Sequence, residues 1–303
     1  MNKLMYTFLI IIISLFTANG QIVINEYSAA NYNTSTDNYG EFEDWVELYN
    51  PTAAAIDING WALTDKPSNA TKWLFPSSFI LPANGVAIIY CSGRDELIGS
   101  NAHTNFKITQ TTGNEVFILS DPSSIIIDSI TVIPNLKSHS RGRDVNGGGA
   151  WSVFTSPTPN TNNLGAMLDY APTPVFSQSP GYYSGPVSLT ITSLDPNAII
   201  HYTTNGFAPS SNSNLYSGPI NITSTSVVKA IAYSTNSNIP NSFIEYNTYF
   251  INETHTIPIL SVSGDSVAVL IEDGVRTLGG WNGPAHEPQG TIEWFDKNGG
   301  IID

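Results

Sequence analysis

Short runs that alternate apolar and polar residues recur along this chain, each closed by a turn signal, and they leave it little to fold into except β-sheet. The run Asp44-Trp45-Val46-Glu47-Leu48-Tyr49-Asn50-Pro51 shows the pattern. A strand puts Val46 and Leu48 on one face and Trp45, Glu47 and Tyr49 on the other. Asn50-Pro51 then ends pairing, because proline has no N–H for a ladder. Ile22–Tyr27, Ile58–Asp65, Val86–Tyr90, Val187–Thr192 and Val227–Tyr233 read the same way. No long segment repeats apolar residues at helical spacing, and runs this short with frequent turns build sandwiches.

The 303 residues suffice for two ordinary domains and a fragment. The chain opens Met1-Asn2-Lys3, then an apolar run from Leu4 to Phe16, then Ala18 and Gly20 at the positions a signal peptidase favours. This reads as a secretory signal over 1–20, cut before Gln21. The alternative is an uncleaved anchor, although the run is short for a bilayer span. No other stretch is apolar enough to cross a membrane. Cleavage removes one base, Lys3, from a net charge of −14. Such an acidic chain repels nucleic acid and anionic lipid, and tolerates Ca²⁺ or cationic partners. Cys91 is the single cysteine; it follows the apolar run Val86–Tyr90 and reads as a half-buried packing residue.

From Gln21 to Asn163 the order of short motifs resembles the lamin tail family. It comprises Asn25-Glu26-Tyr27, Asp44–Pro51, Asn59-Gly60-Trp61-Ala62-Leu63, Leu81-Pro82-Ala83-Asn84-Gly85, and a late Ser140-Arg141-Gly142-Arg143. In this stretch Asn84-Gly85 is read as a tight turn, and the strand Gly113–Leu119 pairs with Ile125–Val132. The resemblance implies an immunoglobulin-like sandwich with no catalytic constellation, a partner-binding domain in animal lamins and a companion of enzymes and surface domains in secreted bacterial proteins. Residues 164–171 read as a linker. From Pro172 to Asn252 the segment resembles the chitobiase/β-hexosaminidase C-terminal domain, on Tyr202-Thr203-Thr204-Asn205-Gly206 and Tyr216-Ser217-Gly218-Pro219-Ile220. Asn205 stands where that family usually has aspartate, and a type I′ turn accepts either. The resemblance implies a small accessory sandwich, with the sugar-cleaving carboxylates of those enzymes in other domains. Residues 256–303, with Ile257–Val262 and Gly290–Gly300, are similar to the opening of a spore-coat-H kinase domain. That family's nucleotide- and metal-binding residues have no counterparts here. The expected fold is therefore all-β: two immunoglobulin-like sandwiches in tandem, with an incomplete C-terminal α+β segment.

The search for chemistry yields candidates without a constellation. There is no phosphate loop and no G-x-S-x-G. His286-Glu287 begins a zinc motif, but Gly290 stands where its second histidine belongs. His103, His139, His201, His255 and His286 are scattered and read as surface or turn residues. Asp144–Gly149 begins like an EF-hand loop, but Thr155 replaces the closing glutamate. Asp37, Glu41, Glu43 and Asp44 form an acidic loop that could coordinate Ca²⁺ or lie solvated. Lys137, Arg141 and Arg143 form a basic cluster that could hold an anion or acidic partner, or serve as scaffold. Trp45, Tyr49, Trp61, Trp73 and Trp151 would stack on sugar rings if they formed an exposed row, and otherwise pack. The sequence thus points to a secreted or cell-surface bacterial protein whose sandwiches bind an extracellular protein or glycan, or act as spacers. The alternatives are the accessory front of a spore-coat-H-type kinase and a glycan-binding unit of a sugar-degrading enzyme.

Overall fold

The computed structural model describes residues 21–109, 115–264 and 290–302. The signal segment, His286-Glu287 and the Gly113-Asn114 start of one expected strand lie outside them. Among the described residues the chain is all-β, with no helix, and its sheets form immunoglobulin-like sandwiches.

The first sandwich contains β1 Val23–Ser28, β2 Trp45–Asn50, β3 Ile56–Asp57, β4 Ala62–Thr64, β5 Trp73–Leu74, β6 Ile80–Leu81 and β7 Gly85–Tyr90. It continues with β8 Glu96–Ile98, β9 Asn101–His103, β10 Val116–Ser120, β11 Ile126–Thr131, β12 Ser140–Val145 and β13 Gly148–Phe154. A seven-stranded sheet of order β13-β12-β1-β2-β7-β9-β8 faces a four-stranded sheet of order β11-β10-β4-β5. Val46 and Leu48 of β2 lie in the core between them with Ile24, Leu63, Trp73, Phe117 and Leu119, as alternation requires. The expected pairing of β10 with β11 is present, with Val116 opposite Thr131 and Phe117 opposite Ile130.

The opposite face of β2 is also covered. Trp45 is buried in a second small cluster with Ile88 and Tyr90, and Glu47 is buried too. The loop before β2 closes over Trp45's face: the Tyr90 hydroxyl donates to the Thr36 carbonyl at 2.7 Å. Cys91 is fully buried in the main core, and burial pushes its thiol pKa well up.

The second sandwich contains β14 Val175–Phe176, β15 Gly181–Tyr183, β16 Val187–Leu189, β17 Ile191–Thr192, β18 Ile199–Thr203, β19 Asn214–Leu215, β20 Ile220–Ile222, β21 Ser226–Tyr233 and β22 Glu245–Ile251. A five-stranded sheet of order β15-β22-β21-β18-β19 packs against the pairs β16-β20 and β14-β17. Val187, Leu189, Ile222, Val228 and Tyr249 fill one part of the core, and Ile191, Ile200, Ala230 and Ala232 the other.

The C-terminal segment, in its described residues, is an antiparallel pair of β23 Ile259–Gly264 and β24 Gly290–Phe295. It lies against the second sandwich. Phe295 is buried with its ring 5.2 Å from that of Phe250. Glu293 accepts from the Thr248 N–H at 3.2 Å and from its hydroxyl at 2.5 Å. Glu293 and Phe295 thus face the sandwich, while Leu260, Val262, Ile292 and Trp294 point outward and are exposed.

One of the two expected turns is as read and one differs. The Asn84-Gly85 pair forms its tight turn with the positive φ of 49° at Asn84; Gly85 is needed because a Cβ there would sit 2.8 Å from Pro82 Cβ. At Asn205-Gly206 only Gly206 has positive φ, 77°, so the turn is not type I′. Asn205 instead caps it, its side-chain oxygen accepting from the Phe207 N–H at 3.2 Å.

Because Val46 is wholly enclosed, Val46→Asp buries an unpaired charge. We expect it to cost at least about 4 kcal/mol and to abolish the near-ultraviolet circular dichroism of the first sandwich. A melting curve like that of the parent would contradict the strand register.

Candidate functional site

The densest polar arrangement in the described residues is one that motif searching passed over. Glu26 on β1 and Glu47 on β2 are cross-strand partners beside a register shift between Ile24 and Glu26. Both are 0% exposed. Around them the chain supplies donors. Glu26 accepts from the Ser140 hydroxyl, from the Thr158 N–H at 3.0 Å and from the Thr158 hydroxyl at 2.6 Å. Glu47 accepts from the Asn25 amide at 3.0 Å and the Asn160 N–H at 2.6 Å. Asn25 also donates to the Asn163 side chain at 3.0 Å and accepts from the Gly147 N–H at 3.0 Å. Asn163 donates to the Arg143 carbonyl at 2.5 Å.

These bonds fix the segment 156–163, which forms no strand, against the outer face of β1 and β2. Pro157 and Pro159 restrict the backbone so that successive N–H groups turn toward the two carboxylates. The S-R-G-R motif explains itself here. Ser140 bonds Glu26, and Gly142 lies opposite it. A Cβ on Gly142 would come within 2.9 Å of Glu26 Cγ and 3.1 Å of Asn163 Nδ2. The signal available in the sequence was an acid in the middle of each of two short strands, Glu26 in Val23–Ser28 and Glu47 in Trp45–Asn50.

Burial outweighs the donors in setting the acidity of the pair. Desolvation raises Glu26 above its ordinary value, and desolvation, reinforced by the Glu26 charge, pushes Glu47 up to about 8. Both groups are shut off from solvent, and their hydrogen bonds latch the end of the domain in place.

The acidic loop is organised around an arginine. Asp37 is buried and its Oδ1 accepts from the N–H groups of Tyr39 at 2.8 Å and Glu41 at 2.9 Å. Arg94 pairs with Glu41 and lies 3.9 Å from both Asp37 and Glu43. Lys107 adds a 3.2 Å contact to Glu43. Asp44 turns away and accepts from the Asn31 N–H at 3.0 Å, and desolvation raises it to about 7. Among the described residues no group of three or more histidine, cysteine or acidic side chains is placed to hold a metal ion.

The basic cluster is likewise engaged within the chain. Lys137 lies over the Tyr32 ring at 4.4 Å. Arg141 donates to the Pro134 carbonyl at 3.0 Å and to Asp169 at 2.9 Å. Arg143 donates to the Ile24 carbonyl at 2.9 Å and to Asp128 at 3.0 Å, and lies 5.5 Å from the Trp151 ring. The aromatic candidates form no exposed row: Trp45 and Trp73 are buried, and Trp61 and Trp151 pack against the core. Asp144–Gly149 spans the hairpin between β12 and β13. The expectation of surface histidines fails at His103, which is 0% exposed. Its Nδ1 shares a hydrogen with Ser92 at 2.9 Å, its Nε2 meets Asn38 at 2.7 Å, and its ring stacks on Tyr90.

Two outcomes follow from the latch. Gly142→Ala should lower stability by about 1–3 kcal/mol, because Glu26 and Asn163 must move; denaturant unfolding measures it. Glu47 binds a proton in the folded state at pH values where the unfolded chain, with its ordinary 4.5, has lost it. Stability contributed by this group is thus present below 4.5 and is lost as pH rises through about 8. The slope is at most about 1.4 kcal/mol per pH unit for one group. Asp44 acts in the same sense between 3.8 and about 7. The first sandwich should therefore melt at higher temperature at pH 5.5 than at pH 8, and Glu47→Gln should flatten that dependence while lowering stability overall.

Comparison with protein families matches these elements in order. The model for the Lamin Tail Domain matches residues 16–134, and that for the Chitobiase/beta-hexosaminidase C-terminal domain matches residues 178–243. No curated protein matches the chain. The first match contains Glu26 and Glu47 and stops before Ser140, Thr158 and Asn160, to which they bond. The chain carries a lamin tail domain followed by a chitobiase/β-hexosaminidase C-terminal domain.

Proposed function

We propose that this protein works outside the cell or on its surface, as a modular, non-catalytic binding and spacing unit. The observation that carries the reading is the fate of its polar clusters. The buried carboxylates, the acidic loop and the basic cluster are each engaged with other parts of the chain. That is the economy of a scaffold, where charged groups fix loops. The pairing of a lamin tail domain with a chitobiase-type accessory domain supports the same reading and makes an extracellular glycan or glycoprotein the partner class of choice. The signal-like start and the acidic balance favour secretion and disfavour nucleic acid.

A second reading is favoured by the C-terminal strand pair. Its apolar residues Leu260, Val262, Ile292 and Trp294 point away from the sandwich and are exposed, an arrangement suited to a further layer. This agrees with the similarity to a spore-coat-H kinase opening, in which the sandwiches would present a catalytic domain.

Tryptophan fluorescence titrated with soluble chitin oligomers tests the glycan partner. Trp294 is half exposed, so binding near it should shift emission to the blue and saturate. A response absent across chitin and other oligosaccharides would remove the glycan and leave a protein partner.

A further inference from the structure

The stretch between the two sandwiches has the composition of a tether, but its atoms are tied down on both sides. Met167 exchanges two backbone hydrogen bonds with Val153 of the first domain, at 2.8 and 3.1 Å. Leu168 then donates to the Asn238 carbonyl and Ala171 to the Pro240 carbonyl of the second domain, each at 2.9 Å. Pro172 and Pro174 follow and restrict the chain further. Between these anchors stands Tyr170. Its hydroxyl accepts from the Leu136 N–H at 3.0 Å and meets His139 Nδ1 at 3.1 Å. Its ring stacks on the His139 ring at an interplanar angle of 12°, lies 5.2 Å from the Arg141 guanidinium carbon, and meets the Phe243 ring edge-on at 5.1 Å. Asp169, the preceding residue, takes the 2.9 Å ion pair from Arg141.

We propose that residues 166–171 are a splint that fixes the two sandwiches in one orientation, with Tyr170 as its pin. Domains joined in one chain move relative to each other by default unless their interface is extensive and apolar. Here the restraint comes from directional bonds at both ends of a six-residue stretch and from one ring held by both domains. A free tether of that length would sample many separations; this one has the N–H groups of Met167, Leu168 and Ala171 bonded to the two domains. Arg141 thereby has a role that its sequence neighbours do not reveal: it packs against the pin and pairs with the residue before it. The inference rests on the spacer reading above and adds to it that the spacer holds a set angle.

The test uses the full-length chain with spin labels on Ser123→Cys and Ser211→Cys, both on exposed loops, Cys91 being buried. Pulsed dipolar spectroscopy should give one narrow distance distribution. Tyr170→Ala should broaden it several-fold while circular dichroism shows both sandwiches folded. Tyr170→Phe, which keeps the ring contacts, should broaden it less. A broad distribution in the parent protein overturns the proposal, as does a Tyr170→Ala variant indistinguishable from the parent. No ligand is present in this measurement, so failure to find a glycan or protein partner leaves the joint untouched, and a flexible joint leaves the binding reading standing.

Discussion

The first domain depends on placing two carboxylates side by side where water does not reach. Two carboxyl groups on adjacent strands, both fully buried, are costly to place and costlier to ionise unless each finds hydrogen-bond partners. The chain meets that cost with Ser140, Asn25 and the backbone N–H groups of Thr158 and Asn160. The demand runs in both directions. Without the segment 156–163 the pair keeps only Ser140 and Asn25 as donors, and without the pair the N–H groups of Thr158 and Asn160 lose the acceptors they have. The arrangement also accounts for a glycine, since a side chain at Gly142 would crowd Glu26 and Asn163. Motifs far apart in sequence are thus parts of one buried contact.

Much of the fold was legible because alternation reports faces directly. Val46 and Leu48 fall in the core as the period of two demands, and the β10–β11 pairing follows from two apolar runs separated by a turn. What alternation does not report is whether the second face is wet. Trp45 and Glu47 fall on the face opposite Val46 and Leu48, and a loop and an irregular segment cover them there. Long-range charge partners were equally hidden. Arg94 is more than fifty residues from Glu41 in the chain, and Asp169 follows the basic cluster by nearly thirty. His103 is buried by neighbours, Ser92 and Tyr90, that no local pattern assigns to it. The chitobiase-type turn failed in detail for a different reason, because Asn205 acts through its side chain and not through its backbone dihedral.

The domain plan and the polar clusters point the same way. A lamin tail domain and a chitobiase-type sandwich are joined by a bonded stretch, and a third element rests on the second sandwich through Glu293, Thr248 and Phe295. Glu41, Glu43, Arg141 and Arg143, singled out in the sequence as candidate ligands, each have charged partners within the chain. The apolar residues of the C-terminal strand pair, Leu260, Val262, Ile292 and Trp294, are exposed on the side away from the second sandwich.

The most direct measurement of the central contact is native-state hydrogen exchange at the amides of Thr158 and Asn160. Neither belongs to a strand, and each donates to a buried carboxylate. Groups that open only with the domain exchange at the rate of global unfolding, whereas frayed segments exchange almost freely. Both amides should be protected to the level of the β1 and β2 amides and lose protection together in Gly142→Ala. Exchange at the rate of the exposed loop 208–213 would contradict the latch.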